Sequence, residues 1–217
     1  MFRGVSVLLD EQPPQGGAMA HACEWAERLR LPLRTVACPA PAAREFFRPF
    51  ELCVFGGGLP PAFRQTLLAR SLRTPDAAVL TCPPAWRPLS RVLVLNQGHR
   101  PGDGFLDTVA VLCRTFQVVP VVLTVSPSEA VARSCERAAE EAFAARRLAA
   151  DFDLMAGCDA PTAVARAARW RRCSHVFVER RAASPWRRWL GGDVMRELAC
   201  LSDSLSMVAF AGETLCG

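Results

Sequence analysis

The sequence contains no lysine, isoleucine or tyrosine, and it contains asparagine only once. All 26 basic residues of the 217-residue chain are therefore arginine. This bias is typical of a GC-rich genome, so the abundance of arginine alone is weak evidence for an anion-binding function. The net charge of +5 is also small for a protein that wraps nucleic acid. We therefore expect no nucleic-acid partner.

Long hydrophobic runs are missing as well. Apolar runs are short, as in residues 118–123, which include Pro120, whereas a membrane span needs about 18 apolar residues or more. The N-terminal segment has neither the hydrophobic region nor the cleavage site of a signal peptide. We therefore expect a cytoplasmic protein without membrane contact. With 51% hydrophobic and 22% charged residues, the composition indicates a globular chain of one large or two compact domains.

The ten cysteines show no metal-ligand spacing. Neighbouring cysteines are 15 to 31 residues apart, and no CxxC or CxxxxC pair occurs, which argues against a zinc site. Cys53 and Cys113 lie in the apolar segments ELCVF and VAVLCRTF. We therefore expect reduced, buried cysteines that behave as small hydrophobic residues, and no bound metal.

Short β-branched runs alternate with stretches of helical spacing, the pattern of a parallel sheet covered by helices. In the first predicted helix, 17–30, residues Met19, Cys23, Ala26 and Leu29 or Arg30 recur at helical spacing. The predicted strands of the N-terminal part are 4–10, 33–38, 51–55 and 77–82, and its further predicted helices are 41–47 and 61–72. Pro83, Pro84 and Pro88 then indicate a stiff linker.

After this linker the same order of elements begins again. VSVLLD (5–10) is echoed by VLVLN (92–96), ELCVFGG (51–57) by SHVFVERR (174–181), and DAAVLTC (76–82) by SLSMVAF (204–210). The second copy also has a predicted long helix at 128–150 and a short strand at 152–155, which the first copy lacks. We therefore predict two repeats, 1–84 and 85–217, of which the first is truncated.

Each repeat is predicted to be a doubly wound α/β unit with a Rossmann-like parallel sheet. In strand order 3-2-1-4-5 the third strand lies at the edge, so its loss from the first repeat exposes one strand without splitting the core. The end strands, 77–82 and 205–210, have open edges that need covering. We therefore expect the two repeats to pair within the chain as a pseudo-dimer.

The pattern resembles the universal stress protein (UspA-like) family in its tandem form. RVLVLNQG, VVPVVLTVSPSEA and WLGGDVMRELAC carry the resemblance in the second repeat, and GVSVLLDE and FELCVFGGG carry it more weakly in the first. The resemblance implies a fold like that of the adenine nucleotide alpha hydrolases, binding of ATP or of no nucleotide, dimerisation through the last strand, and a role in stress adaptation without turnover of a metabolite.

ATP-binding members of this family carry, after the fourth strand, GxxG, nine residues, then Gly and Ser or Thr. Glycines let the backbone approach phosphate groups, and a helix N-terminus directs free amides at them. In the second repeat Glu179 and Ala182 replace the two glycines, Gly192 is kept and Asp193 follows. A carboxylate at each end of this loop repels a triphosphate.

The first repeat departs from the family motif at other positions. Gly56 matches the first glycine, but Leu59, Ala69 and Arg70 replace the other three motif residues. The acidic residue that ends the first strand is present as Asp10, whereas the second repeat has Asn96 there. The resemblance thus implies a degenerate nucleotide-binding set, with a plain tight turn as the alternative for the three glycines: Asp10, Gly56, Gly57, Gly58, Asn96 and Gly192. We expect no cofactor. Binding of ATP is the disfavoured alternative.

Arginine is concentrated in residues 166–188, where eight of 23 residues are arginine. The clusters before and after the predicted strand at 174–181 should lie at its opposite ends. The second cluster sits near the former phosphate site, where guanidinium groups hold anions by bidentate contacts. We predict an anion or partner loop, with a solvated surface loop as the alternative: Arg180, Arg181, Trp186, Arg187 and Arg188.

The three histidines show no catalytic constellation. His21, His99 and His175 have no Ser or Cys in a recognisable nucleophile motif. We expect His175 to pack in the core or at the sheet edge, and His99 to be a polar loop residue. The sequence thus favours a regulatory stress protein that is not an enzyme, with a possible protein partner or homodimer. The alternatives are an ATP-binding stress protein that uses the first repeat, and an enzyme of a related nucleotide-binding group.

Overall fold

The fold is known from a computed structural model of the chain. It describes residues 2–9, 17–37, 46–56, 59–71, 74, 77–97, 101–180, 198, 201 and 203–211. The strands are β1 Gly4–Leu9, β2 Leu33–Ala37, β3 Glu51–Gly56, β4 Ala78–Cys82, β5 Val92–Asn96, β6 Pro120–Ser126, β7 Asp151–Ala156, β8 His175–Arg180 and β9 Ser206–Ala211. The helices are α1 Gly17–Leu29, α2 Pro61–Ser71, α3 Asp103–Phe116, α4 Glu129–Ala145 and α5 Ala160–Arg171.

The nine described strands form one sheet in the order β2-β1-β3-β4-β9-β8-β5-β6-β7. Strands β5 to β9 follow the order 3-2-1-4-5 that the sequence predicts, and all their neighbouring pairs are parallel. Strands β1 to β4 form the same pattern without a third strand among the described residues. The predicted α/β architecture is therefore confirmed.

The two halves of the sheet meet at β4 and β9, the last strand of each half. These strands pair antiparallel, with Val79 opposite Ala209 and Leu80 opposite Val208. The open edges that the sequence analysis expects to be covered are thus hydrogen-bonded to each other. Because this single pairing is antiparallel, the carboxyl ends of the strands point to opposite edges of the sheet in the two halves.

Buried residues form two apolar clusters, one on each face of the sheet. Along β5, Val92 and Val94 belong to the first cluster, whereas Leu93 and Leu95 belong to the second. Successive strand side chains alternate between faces, so a strand that is apolar on both sides must be covered on both sides. Helices α1, α3 and α4 cover the first face, and α2 and α5 cover the second.

The buried face of α1 includes Ala26 and Leu29, as expected from the sequence, but it does not include Cys23. Cys23 is exposed, and the side chains that point into the core include His21 and Trp25. Residues 21, 25 and 29 are four apart and so lie on one side of a helix. The helix is rotated because the indole of Trp25 buries much more apolar surface than a thiol does.

Helix α4 ends at Ala145, five residues earlier than predicted. Arg147 has a positive φ of 51°, and the amide of Leu148 donates to the carbonyl of Phe143 at 3.1 Å. This left-handed ending is a common helix stop. It turns the chain towards β7 without a glycine. Because the sequence has no glycine stop signal here, the predicted helix extends beyond the observed end. None of the described helices is long and apolar enough to cross a membrane.

Candidate functional site

The carboxyl edge of the second half brings together the ends of β5, β6 and β8. In open α/β sheets this edge, beside the point where strand order reverses, is the usual place for a ligand. Asn96 ends β5, Ser126 ends β6, and Glu179 is the last residue but one of β8. These three side chains define the candidate site of the second half.

Asn96 is directed into the protein at this edge. Its side chain is 2% exposed, and its amide nitrogen donates to the hydroxyl of Thr124 at 3.2 Å and to the carbonyl of Cys135 at 3.3 Å. The amide therefore ties β5 to β6 and α4. The residue predicted to belong to the degenerate nucleotide set thus also has a structural role.

Glu179 lies at the N-terminus of α3. Its carboxylate accepts a hydrogen bond at 3.0 Å from the backbone amide of Gly102, the N-cap residue of this helix. A helix N-terminus attracts anions through its free amides and its dipole. The protein's own carboxylate therefore occupies a position where a phosphate group would otherwise be favoured.

Three buried polar atoms near this edge have no hydrogen-bond partner among the described residues. They are the side-chain oxygens of Asn96 and Ser126 and the side-chain nitrogen of Gln97. Burying a polar atom without a partner costs about 1–3 kcal/mol. These neutral groups could form hydrogen bonds with a ligand. Among the described residues, no cationic side chain is seen to face this edge and bind a phosphate. No group of three or more potential metal ligands occurs in the described part of the chain.

In the first half the corresponding edge is formed by the end of β3. Gly56 pairs with Cys82 of β4, and its carbonyl accepts from the amide of Leu59 at 3.4 Å. Leu59 is 5% exposed and belongs to the second apolar cluster. Leu59, which replaces the motif glycine, therefore contributes to packing of the core. Three predicted residues of this half lie outside the described residues: Asp10, Gly57 and Gly58.

Arg180 differs from the prediction of an anion-binding loop residue. It is the last residue of β8 and is 9% exposed. Its guanidinium donates to the carbonyl of Ser71 at 2.6 Å, to that of Thr74 at 3.3 Å, and to that of Ala77. These acceptors lie at the last residue of α2 and in the segment between α2 and β4, so Arg180 joins the two halves. The other residues predicted for this loop, and Gly192, lie outside the described residues: Arg181, Trp186, Arg187 and Arg188.

His21 of α1 and His175 of β8 form a buried pair between the halves. Both side chains are fully buried, and their rings meet edge to face with centroids 5.3 Å apart. His175 Nδ1 lies 2.9 Å from the Ser174 hydroxyl, and His21 Nε2 lies 3.4 Å from the Ser206 hydroxyl. The expected core role of His175 is confirmed. His99 lies outside the described residues.

Burial keeps both rings of this pair neutral. Desolvation lowers the pKa of His21 to about 4, and desolvation together with the neighbouring His21 lowers that of His175 to about 3. His175 also begins β8, so it lies at the opposite edge from Glu179. The two Ser–His contacts are therefore closed to solvent and away from the candidate site. The four-residue spacing of His21 and Trp25 is the one sequence signal for this cluster.

The buried cysteines match the sequence prediction. Cys53, Cys82 and Cys113 are buried, and desolvation raises the pKa of each thiol to about 12. A thiol with such a pKa holds its proton at neutral pH and is a poor nucleophile. These side chains therefore contribute to packing.

The architecture defines a class: α/β proteins in which two Rossmann-like halves share one continuous sheet. No family model and no curated protein matches the sequence. Among solved structures, a universal stress protein from Archaeoglobus fulgidus DSM 4304 has a TM-score of 0.60 at 13% identity, over 97% of this chain and 87% of that chain. A candidate universal stress protein from Pseudomonas aeruginosa UCBPP-PA14 also has a TM-score of 0.60 at 13% identity, over 99% and 95%.

The chain thus has the fold of the universal stress proteins. The cytoplasmic domain of a prokaryotic cation chloride cotransporter has the same architecture, with a TM-score of 0.56 at 9% identity over 99% of this chain and 98% of that one. One fold is therefore compatible with different functions, and the function has to be argued from the site.

Proposed function

We propose that the protein is a tandem universal stress protein that acts in stress adaptation by interaction, without catalysis and without bound ATP. The observation that carries this proposal is the hydrogen bond from the Gly102 amide to Glu179. An ATP phosphate at this helix N-terminus would have to displace a carboxylate that already compensates the helix dipole. The displaced charge would then remain beside the triphosphate.

Two further observations support a nucleotide-free protein. The side-chain nitrogen of Asn96 is occupied by Thr124 and by the backbone of α4, so it is not available to donate to a nucleotide. Arg180, which follows Glu179 at the end of β8, donates to carbonyls of the other half. The positive charge that a phosphate would need is thus used elsewhere.

A non-catalytic role is supported by the inaccessibility of the histidines described above. General acid–base catalysis needs a group within hydrogen-bond reach of a substrate and a pKa near the working pH. His21 and His175 are buried, with a pKa of about 4 and about 3. Neither histidine meets these requirements.

The pairing of β4 with β9 supports a pseudo-dimer within one chain. In this proposal the two repeats provide for each other the interface that single-repeat family members form between subunits. The protein would act in the cytoplasm, and its function would rest on surfaces that bind a protein partner.

The test is nucleotide analysis of the purified protein after denaturation, combined with a phosphate-release assay in MgATP. The expected result is no stoichiometric nucleotide and no release above buffer. Co-purified ATP would overturn the nucleotide-free proposal. Asp10→Asn and Gly56→Val would then show whether the first repeat is the host, because both positions match its family motif; Glu179→Gln is the matched change in the second repeat.

A further inference from the structure

The outer face of α5 carries an unusual combination of side chains. Its inner face packs on the sheet through Ala163, Val164, Ala167 and Ala168, which are all buried. Its outer face and C-terminus present the exposed side chains Arg166, Arg169, Trp170 and Arg172, which we call the α5 surface. Trp170 is 76% exposed, the largest value among the exposed large hydrophobic residues of the described chain.

Carboxylates near this surface are already neutralised by other arginines. Asp151 is paired with Arg91 at 2.5 Å, and Asp153 accepts from Nε of Arg171 at 2.8 Å. The remaining arginines, 166, 169 and 172, have no ion pair with any described residue. The α5 surface therefore combines one exposed indole with three positive charges that have no ion pair among the described residues.

A solvated helix end explains the arginines but leaves the tryptophan unexplained. Basic side chains near a helix C-terminus interact favourably with the helix dipole. An indole gains nothing from the helix dipole, and its exposure leaves in water an apolar surface that burial would stabilise. Trp170 is thus the part of this surface that indicates a partner.

We propose that the α5 surface is a docking site for an acidic protein segment that also carries an apolar side chain. Arg169 and Trp170 follow Arg166 by three and four residues, so each of them lies beside Arg166 on the helix surface, about 5–6 Å from it. Arginine binds carboxylates in a bidentate geometry. Tryptophan and arginine are also the residues that most often dominate binding energy in protein interfaces.

The charge of the partner follows from the same residues. The uncompensated arginines require negative charge, and the convex helix face offers one apolar anchor with a polar rim, the arrangement of a small protein interface. Single-stranded nucleic acid is usually bound by several aromatic platforms along a basic groove. One indole on a chain with a net charge of +5 fits an acidic peptide better.

The experiment measures fluorescence anisotropy of a labelled 16-residue peptide built from glutamate and leucine, at low salt. A lysine–leucine peptide and a 20-nucleotide oligo-dT are the comparison probes. The expected result is saturable binding of the acidic peptide, weakened at least tenfold by Arg166→Gln, Arg169→Gln and Arg172→Gln together. Trp170→Ala alone should weaken it at least fivefold.

The matched control removes three arginines from another exposed region: Arg133→Gln, Arg137→Gln and Arg147→Gln. It lowers the net charge equally and should change peptide affinity by less than twofold. Absence of saturable binding would overturn the proposal, as would equal weakening in the control variant. Tighter binding of oligo-dT would instead assign the surface to nucleic acid. Dissociation of a parent dimer by the triple α5 variant would assign it to a second copy of the chain.

Discussion

The buried histidine pair predicts that the protein loses stability in mild acid. His21 and His175 are neutral in the folded protein because both rings are fully buried. In the unfolded chain each regains the ordinary histidine pKa of about 6.5. Below that pH the unfolded state binds protons that the folded state does not, so acidification favours unfolding. The contribution of the two neutral histidines to the free energy of unfolding is therefore complete above a pH of about 6.5. It is lost as the pH falls from there towards their pKa values in the folded protein.

The size of the effect follows from the two lowered pKa values. Between pH 6.5 and pH 5 each histidine lowers the free energy of unfolding by about 1.4 kcal/mol for each pH unit of acidification. Because the folded pKa values are about 4 and about 3, both rings remain neutral in the folded protein at pH 5. The pair should therefore lower the free energy of unfolding by about 4 kcal/mol between pH 7 and pH 5, a large share of the 5–15 kcal/mol typical of proteins.

The assay is urea unfolding at pH 7, 6 and 5, followed by circular dichroism. A variant with His21→Leu and His175→Leu should show most of this pH dependence removed, and each single variant should show about half of it removed. His99→Gln is the matched control and should keep the dependence of the parent. If the double variant lost stability with falling pH as steeply as the parent, the proposed cause would be wrong.

Three further predictions concern single residues. Arg180→Met should lower the free energy of unfolding by about 2–4 kcal/mol, because it leaves buried carbonyls without their charged donor; urea unfolding measures this, and a loss below about 1 kcal/mol would contradict it. Gly17→Ala should cost about 1–3 kcal/mol, because its Cβ would come within 2.4 Å of the Pro84 carbonyl oxygen. Gly4→Ala is its control, since the nearest atom there is 3.5 Å away. Iodoacetamide should modify Cys23 but not Cys53 in the folded protein, as read by peptide mass spectrometry; equal labelling would refute the assigned burial.

The sheet was largely predictable from the sequence because strand patterning is local. Strand β5 is apolar at four successive positions, Val92 to Leu95, and all four are buried, as a strand covered on both faces requires. The echo of these strands along the chain then predicted two repeats, and the doubly wound α/β class predicted the strand order. Helix ends were less predictable. Arg147 ends α4 in a left-handed conformation that usually takes glycine, so the sequence carried no stop signal there.

The candidate site was less predictable because its contacts join residues far apart in the chain. Glu179 was identified as repulsive to phosphate, but its bond to the Gly102 amide depends on how β8 and α3 meet. The acceptors of Arg180 lie more than 100 residues before it. The chain has 26 arginines and no lysine. Nothing in the sequence distinguishes Arg180 from the exposed arginines.

The most direct test of the proposed nucleotide-free function is isothermal titration of the purified chain with MgATP. With Glu179 at the α3 N-terminus, the prediction is no saturable heat for the parent protein at millimolar ATP. Glu179→Gln, which removes the charge at nearly constant size, tests whether any weak binding increases. Stoichiometric, saturable binding of ATP to the parent protein would contradict the proposal.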